Sequence, residues 1–446
     1  MEGRDPFARP RGPRAAAALA LLLACAPAPP APGPAAGASG GSLRPAGCRP
    51  VAAGSDLQVL LDAAEPGAAL CLAPGAFPGP LRVRRRVALF GPREAVIRSG
   101  GSGTTITLEA RGAALLGLRV EGSGGRFDLL DAAVRITADE VRVEGVAIRG
   151  ALFGLEARQA RGLLLRGNEI EGDPGRPLGL RGDAIRLWEV RESRVEDNRV
   201  RDARDVVIWY SPGNRIAGNE ISGGRYGTHF MYSHENAAEE NRYVGNVVGI
   251  YAMYSRGLVI RRNLVARSAG AAGVGLGFKE AGSLAVLGNQ LLANTVGVYL
   301  DASPLDPRDV NRFEDNAFRL GDAGVVFAGS AGGNRFLGNQ FRDNRVQVRV
   351  EGRGAAQDAE WRGNAFDDYA GYDLDGDGRG DVPYELRSLA GELAAREPGI
   401  AFFRGTAALG LVELVGRLVP LFRPQTLLVD PEPRLRAHPP GSARAG

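Results

Sequence analysis

Between residues 110 and 365 the sequence keeps returning to one phrase: a small or polar residue, Asn, a polar residue, an apolar residue, then a Gly-rich turn. It reads Gly-Asn168-Glu-Ile, Asp-Asn198-Arg-Val, Gly-Asn219-Glu-Ile, Arg-Asn263-Leu-Val, Gly-Asn289-Gln-Leu, Asp-Asn316-Ala-Phe, Gly-Asn339-Gln-Phe and Gly-Asn364-Ala-Phe. With Asn241 filling the gap, the steps from Asn198 are 21, 22, 22, 26, 27, 23 and 25 residues. A recurrence near 23 residues marks a repeat architecture that grows by stacking coils.

Each period also holds short alternating apolar runs such as Ala-Ile-Arg-Leu (184–187), Val-Val-Ile-Trp (206–209) and Leu-Val-Ile (258–260). Such runs bounded by Gly and Asn read as strands. Three strands per coil predict an all-β chain, a right-handed parallel β-helix of about a dozen coils with a small helical or irregular C-terminal region. Asn suits the recurring turn because it tolerates left-handed backbone and because its amides can stack in ladders from coil to coil. The Leu-x-x-Leu-x-Leu frame of leucine-rich repeats is missing.

Flanking segments divide the rest. Arg4, Arg9, Arg11 and Arg14 precede a 12-residue apolar run, Ala15 to Ala26, which predicts an export signal, with Cys25 a loose match to a lipidation site. Residues 1–46 are thus read as signal and Pro/Ala-rich linker, and 47–80 as an N-terminal cap containing the helix-like Asp56–Ala64. The β-helix takes 81–366, an Asp/Gly-rich loop 367–384, and a C-terminal cap or docking segment 385–446. In that last segment Leu409 to Phe422 carries only Glu413 and Arg417 as charges. It reads either as a helical cap or as a surface for a membrane-embedded partner. Cys48 and Cys71 remain after cleavage, as a disulfide or as unlinked thiols with Cys71 buried.

The charges, 55 basic against 51 acidic, are too balanced for a nucleic-acid binder. Chemistry concentrates instead where rare residues cluster. The chain has three His and three Met, and His229, Met231, His234 and Met253 fall within 25 residues. Met-Tyr-Ser occurs at 231–233 and again at 253–255, one coil apart, so Met231 and Met253 should stack about 5 Å apart. His229, two residues before Met231, shares its strand face; His234 reaches that face only if the chain bends back. Thioethers and imidazoles without a thiolate suit Cu(I). The competing reading makes the methionines core filler.

A second cluster, Asp373, Asp375, Asp377 and Asp381, follows the start of a Ca²⁺ loop but has Tyr384 where an EF-hand needs Glu. It reads as a Ca²⁺ site or as a turn closed by its own hydrogen bonds. A carbohydrate-active β-helix needs converging carboxylates or a base beside cations. Asp183, Asp205, Arg225 and Asp301 are available, but the sequence suggests no close acidic pair one coil apart around the His cluster, and the acids read as solvated surface or turn residues. Lys279 is the one lysine.

Three stretches carry a resemblance: Gly-Thr-His-Phe-Met-Tyr-Ser-His-Glu-Asn (227–236) with the second Met-Tyr-Ser, the Asp-rich 367–384, and Phe-Arg-Pro-Gln-Thr-Leu-Leu-Val-Asp-Pro (422–431). Through them the chain resembles the NosD family, periplasmic β-helix proteins of nitrous oxide reductase maturation. The resemblance implies a non-enzymatic, copper-handling protein in the periplasm, held at the inner membrane through its partners. Those partners would be an ABC permease and its ATPase, a periplasmic copper chaperone, and nitrous oxide reductase with its copper–sulfide centre. It makes His229, Met231, His234 and Met253 the copper candidates. The alternative is an alginate epimerase or lyase, to which Arg225-Tyr-Gly-Thr-His229 has a faint likeness; those enzymes place an acid soon after Tyr-Gly, where this chain has Thr228.

Overall fold

Alternating side chains with a Gly or Asn corner every few residues leave each short strand one apolar face to bury, and stacking equivalent strands buries it. In the computed structural model this yields three parallel sheets of 14, 12 and 13 strands, in which each strand except those at the sheet ends pairs with its equivalents one coil before and after. The chain is therefore the all-β parallel β-helix that the period predicts. The structure describes residues 43–435 apart from 271, 331, 353, 390–392, 394–396, 404–405, 419–423 and 425. The export signal and Cys25 lie outside the described residues.

The interior is filled by one continuous apolar column, with Val143, Ile216, Leu276 and Phe313 among its fully buried members. Towards the C-terminal end it becomes aromatic: Phe313, Phe336 and Trp361 stack at 4.6 and 4.3 Å, and Phe341, Phe366 and Tyr384 at 5.0 and 3.9 Å. At one corner the recurring asparagines are buried in a ladder. Each Nδ2 donates to the Oδ1 of the Asn one coil later, as from Asn219 to Asn241 (2.9 Å) and Asn241 to Asn263 (3.0 Å). Each Oδ1 also accepts the backbone N–H of the preceding Asn, as Asn241 does from Asn219 (2.9 Å).

The left-handed conformation falls elsewhere than expected. It sits on the residue before the Asn, as at Asp197 (φ 55°), Gly218 (65°), Glu240 (56°) and Arg262 (53°). Asn is therefore at this corner for its amide and not for its backbone tolerance. A shorter ladder of Ser211, Ser233 and Ser255 occupies another corner, where Ser211 N–H donates to Ser233 Oγ and Ser233 N–H to Ser255 Oγ, both at 3.0 Å.

At the N-terminal end Cys48 and Cys71 are disulfide-bonded, with Cα atoms 5.6 Å apart. Closing a loop of 23 residues contributes about 3 kcal/mol. The helix Leu57–Ala63 buries Leu57 and Leu61, and the Asp56 carboxylate caps it by accepting Val59 N–H at 3.1 Å. At the other end Tyr384–Arg387 pairs antiparallel with Thr426–Asp430. This hairpin delivers Asp430 to the Asn ladder, where its carboxylate accepts the Nδ2 (2.8 Å) and backbone N–H (2.9 Å) of Asn364. An acceptor-only group suits a rung with no following coil to receive a donor. The helix Ala407–Leu418 leaves Leu411 and Leu414 exposed, as are Phe402 and Phe403 before it. Among the described residues no helix is long and apolar enough to cross a membrane.

Candidate metal centre

The candidate residues stand on the sheet with the longest strands, and a local irregularity sets which way they point. Between Asp205–Trp209 and Tyr226–Met231 the register slips, pairing Asp205 with Tyr226 but Val207 with His229. Gly227 and Thr228 consequently both face the interior. A Cβ on Gly227 would come within 2.4 Å of the Tyr243 ring, and Thr228 Oγ1 lies 3.0 Å from the Tyr243 hydroxyl. Alternation then resumes: His229 outward, Phe230 into the core, Met231 outward and half-buried.

Met231 pairs in register with Met253. The rest of each Met-Tyr-Ser tripeptide is structural. Tyr232 takes a left-handed backbone (φ 48°) and stacks between Tyr210 (5.3 Å) and Tyr254 (4.8 Å), while Ser233 turns inward to its ladder. The three residues thus point outward, along the corner and inward. Repetition of the tripeptide reports coil register for all three, and only the methionine is free for chemistry.

His229 is 6% exposed and boxed by Tyr226 (ring centroids 4.7 Å), Trp209 (5.6 Å) and Tyr251 (6.3 Å). Burial, opposed by Asp205 and reinforced by Arg225, lowers its pKa to about 4, so the imidazole is neutral at pH 7. Its Nδ1 accepts the indole N–H of Trp209 at 3.3 Å, and its buried Nε2 has no partner. Burial also pushes the Tyr251 phenol up to about 12. His234 is not on this strand. It stands exposed on the corner beyond Ser233, where its Nδ1 accepts Arg256 N–H at 3.1 Å.

Two sequence expectations need correction here. Asp183 and Asp205 are buried, not solvated, and they form an acidic pair one coil apart. Arg204 bridges them, 2.8 Å from Asp183 and 3.5 Å from Asp205; Arg225 chelates Asp205, and Arg186 approaches Asp183 at 3.4 Å. Burial raises the Asp183 pKa against the pull of Arg204. Arginines from neighbouring coils allow these carboxylates to be buried, and single-strand patterning cannot show such partners. Asp301 is partly exposed and pairs with Lys279 at 3.6 Å, on the two rungs that follow Met253.

Trp209 escaped the sequence reading, although a signal existed: Trp188, Trp209 and Met231 follow one another at steps of 21 and 22 residues. In the Asp-rich loop, Asp373, Asp375 and Asp377 offer oxygens within 4.8 Å of one another, and Asp381 does not join them. Much of their capacity is taken by the loop itself. Asp373 accepts the N–H groups of Gly376 (2.6 Å) and Gly378 (2.9 Å), which lower its pKa, and Asp381 accepts that of Leu374 (2.6 Å).

The family model described as "Periplasmic copper-binding protein (NosD)" matches residues 166–371, a span containing His229, Met231, His234 and Met253 and ending before Asp373. A curated protein of Pseudomonas aeruginosa called a probable ABC transporter binding protein NosD is 29% identical over 365 residues, 79% of this chain and 85% of its own length. Its namesake from Stutzerimonas stutzeri is 28% identical over 78% of this chain and 83% of its own. Over most of its length the chain is similar to proteins called NosD. Among solved structures, the A-module of the Azotobacter vinelandii mannuronan C-5 epimerase AlgE6 is similar with a TM-score of 0.52 and 18% identity, over 70% of this chain and 94% of that one. At that identity the likeness is one of fold, and this chain shares its β-helix with an enzyme.

Proposed function

We propose that this protein is a periplasmic copper-handling accessory factor and not an enzyme. In this reading it accepts Cu(I) as cargo from a periplasmic copper chaperone and works beside an ABC permease and its ATPase at the inner membrane. It thereby supports assembly of the copper–sulfide centre of nitrous oxide reductase. The observation that carries the reading is the in-register pair Met231 and Met253, half-buried on the outer face beside a neutral His229. Two thioethers one rung apart offer a soft, uncharged pair of donors, and a neutral imidazole needs no proton expelled at pH 7 to add a third. His234 stands at the exposed rim of the same region.

A Cu(I) competition titration tests the assignment. The wild-type protein should bind about one equivalent, and Met231→Ala/Met253→Ala should lose it with the circular dichroism of the β-helix unchanged. Equal affinity in the variant would move copper away from these strands. The Asp373, Asp375, Asp377 and Asp381 loop is read as structural, with Ca²⁺ as its ion; a melting temperature unmoved by Ca²⁺ would leave it a self-bonded turn.

A second reading draws on Asp183, Asp205, Arg204 and Arg225 beside Tyr226 and His229, a set with the residue types of a uronate-processing site. Against it, Arg204 and Arg225 are already paired with carboxylates, so they offer little charge to a sugar acid. Turnover of polyuronate by the purified protein would establish it.

A further inference from the structure

The orientation of His229 conflicts with a simple three-donor copper site, and the conflict can be traced to one neighbour. A neutral imidazole has one N–H and one lone pair. The Trp209 indole N–H points at Nδ1 from 3.3 Å, so the lone pair lies on Nδ1 and the proton on Nε2. Nε2 is buried without an acceptor, the unsatisfied end of a ring whose other end is tied. Copper can reach this ring in two ways. It can take the Nδ1 lone pair, displacing the indole, or it can take Nε2 after the proton moves to Nδ1, where it would meet the indole N–H head on. Both routes give up the Trp209 hydrogen bond.

Trp209 is itself firmly placed. It pairs in register with Trp188 on one side and Met231 on the other, so it closes the end of the Met231–Met253 row. The Arg186 guanidinium lies 4.6 Å over its ring, withdrawing electron density and sharpening the indole as a donor. Arg186 is in turn held near the buried Asp183. A line of contacts, Asp183 to Arg186 to Trp209 to His229, therefore ends on the imidazole.

We propose that Trp209 is a positioning residue that restrains His229, so that copper first meets two thioethers alone and gains the imidazole only when the indole bond is released. The inference rests on the copper reading above. It makes the site deliberately weaker than its donors allow, which suits a protein that must surrender its cargo.

The test compares Cu(I) competition titrations of the wild-type full chain, Trp209→Phe, His229→Ala and the double variant. It adds ¹⁵N spectroscopy of His229 in the metal-free wild type. Phe keeps an aromatic ring and removes the N–H. Losing one neutral hydrogen bond that opposes binding should tighten Cu(I) about three- to fivefold. The same change in the His229→Ala background should do nothing, and the metal-free ring should carry its proton on Nε2. Unchanged or weaker binding by Trp209→Phe, with wild-type binding intact, would overturn the restraint and leave the copper reading standing. A proton on Nδ1 in the metal-free wild type would overturn it without any variant. Absence of Cu(I) binding by the wild type would defeat the copper reading itself, a result distinguishable from the other two.

Discussion

At the scale of single residues, His229 shows how environment outweighs identity. Its side chain would titrate near 6.5 in the unfolded chain, and burial lowers that to about 4 in the fold. The folded state therefore binds a proton less readily than the unfolded one. Its stability is complete above about pH 6.5 and falls as pH drops towards 4, by up to about 3 kcal/mol from this residue. Urea unfolding of the wild type against His229→Gln should show the variant losing less stability over that interval; parallel pH profiles would contradict this origin. The recurring Asn residues were legible in the sequence because a ladder demands one amide at one position per coil. Trp209 and the Asp183–Asp205 pair were not read, because their roles arise from contacts between coils, where patterning within a strand is silent.

Single strands show a different kind of control. The slipped register at Asp205–Val207 turns Gly227 and Thr228 inward together and so decides that His229 and Met231 share the outer face. Strict alternation from Met231 to His229 predicts that face correctly, but it would put Gly227 outward too, and the irregularity left no mark in the sequence beyond the glycine. A methyl group at Gly227 would press on the Tyr243 ring and the carbonyl of Gly249, both within about 2.5 Å of the new atom. We expect Gly227→Ala to cost about 1–3 kcal/mol through overpacking and to weaken Cu(I) binding, although it touches no proposed donor. Denaturant unfolding and a competition titration on the one variant measure both effects. Loss of stability with copper affinity intact would show that the strand can shift without disturbing its outer face.

For the whole molecule, stability is carried from coil to neighbouring coil, so damage at one end should be felt there first. Asp430 offers such a test: its carboxylate ends the Asn ladder on Asn364 and also accepts the N–H groups of Gly363 and Glu432, each at 3.1 Å. Asp430→Ala would leave several buried donors unpaired. The tryptophans report separately, Trp188 and Trp209 from the middle of the solenoid and Trp361 from near its C-terminal end. In single-Trp variants, the urea midpoint read at Trp361 should fall well below that read at Trp209, whereas a common shift would mean that the solenoid unfolds as one unit. Asp430 lies 66 residues beyond Asn364, outside the repeat, so its place in the ladder could not be read from the period.

The one-way donation that runs along the ladder also makes the molecule a ruler. From Asn263, the first rung after Met253, to Asp430 is five rung-to-rung steps, about 24 Å at about 4.8 Å each. The distance from the methionine pair to the C-terminal hairpin is therefore counted out in whole coils, and a lineage can lengthen or shorten it only one coil at a time.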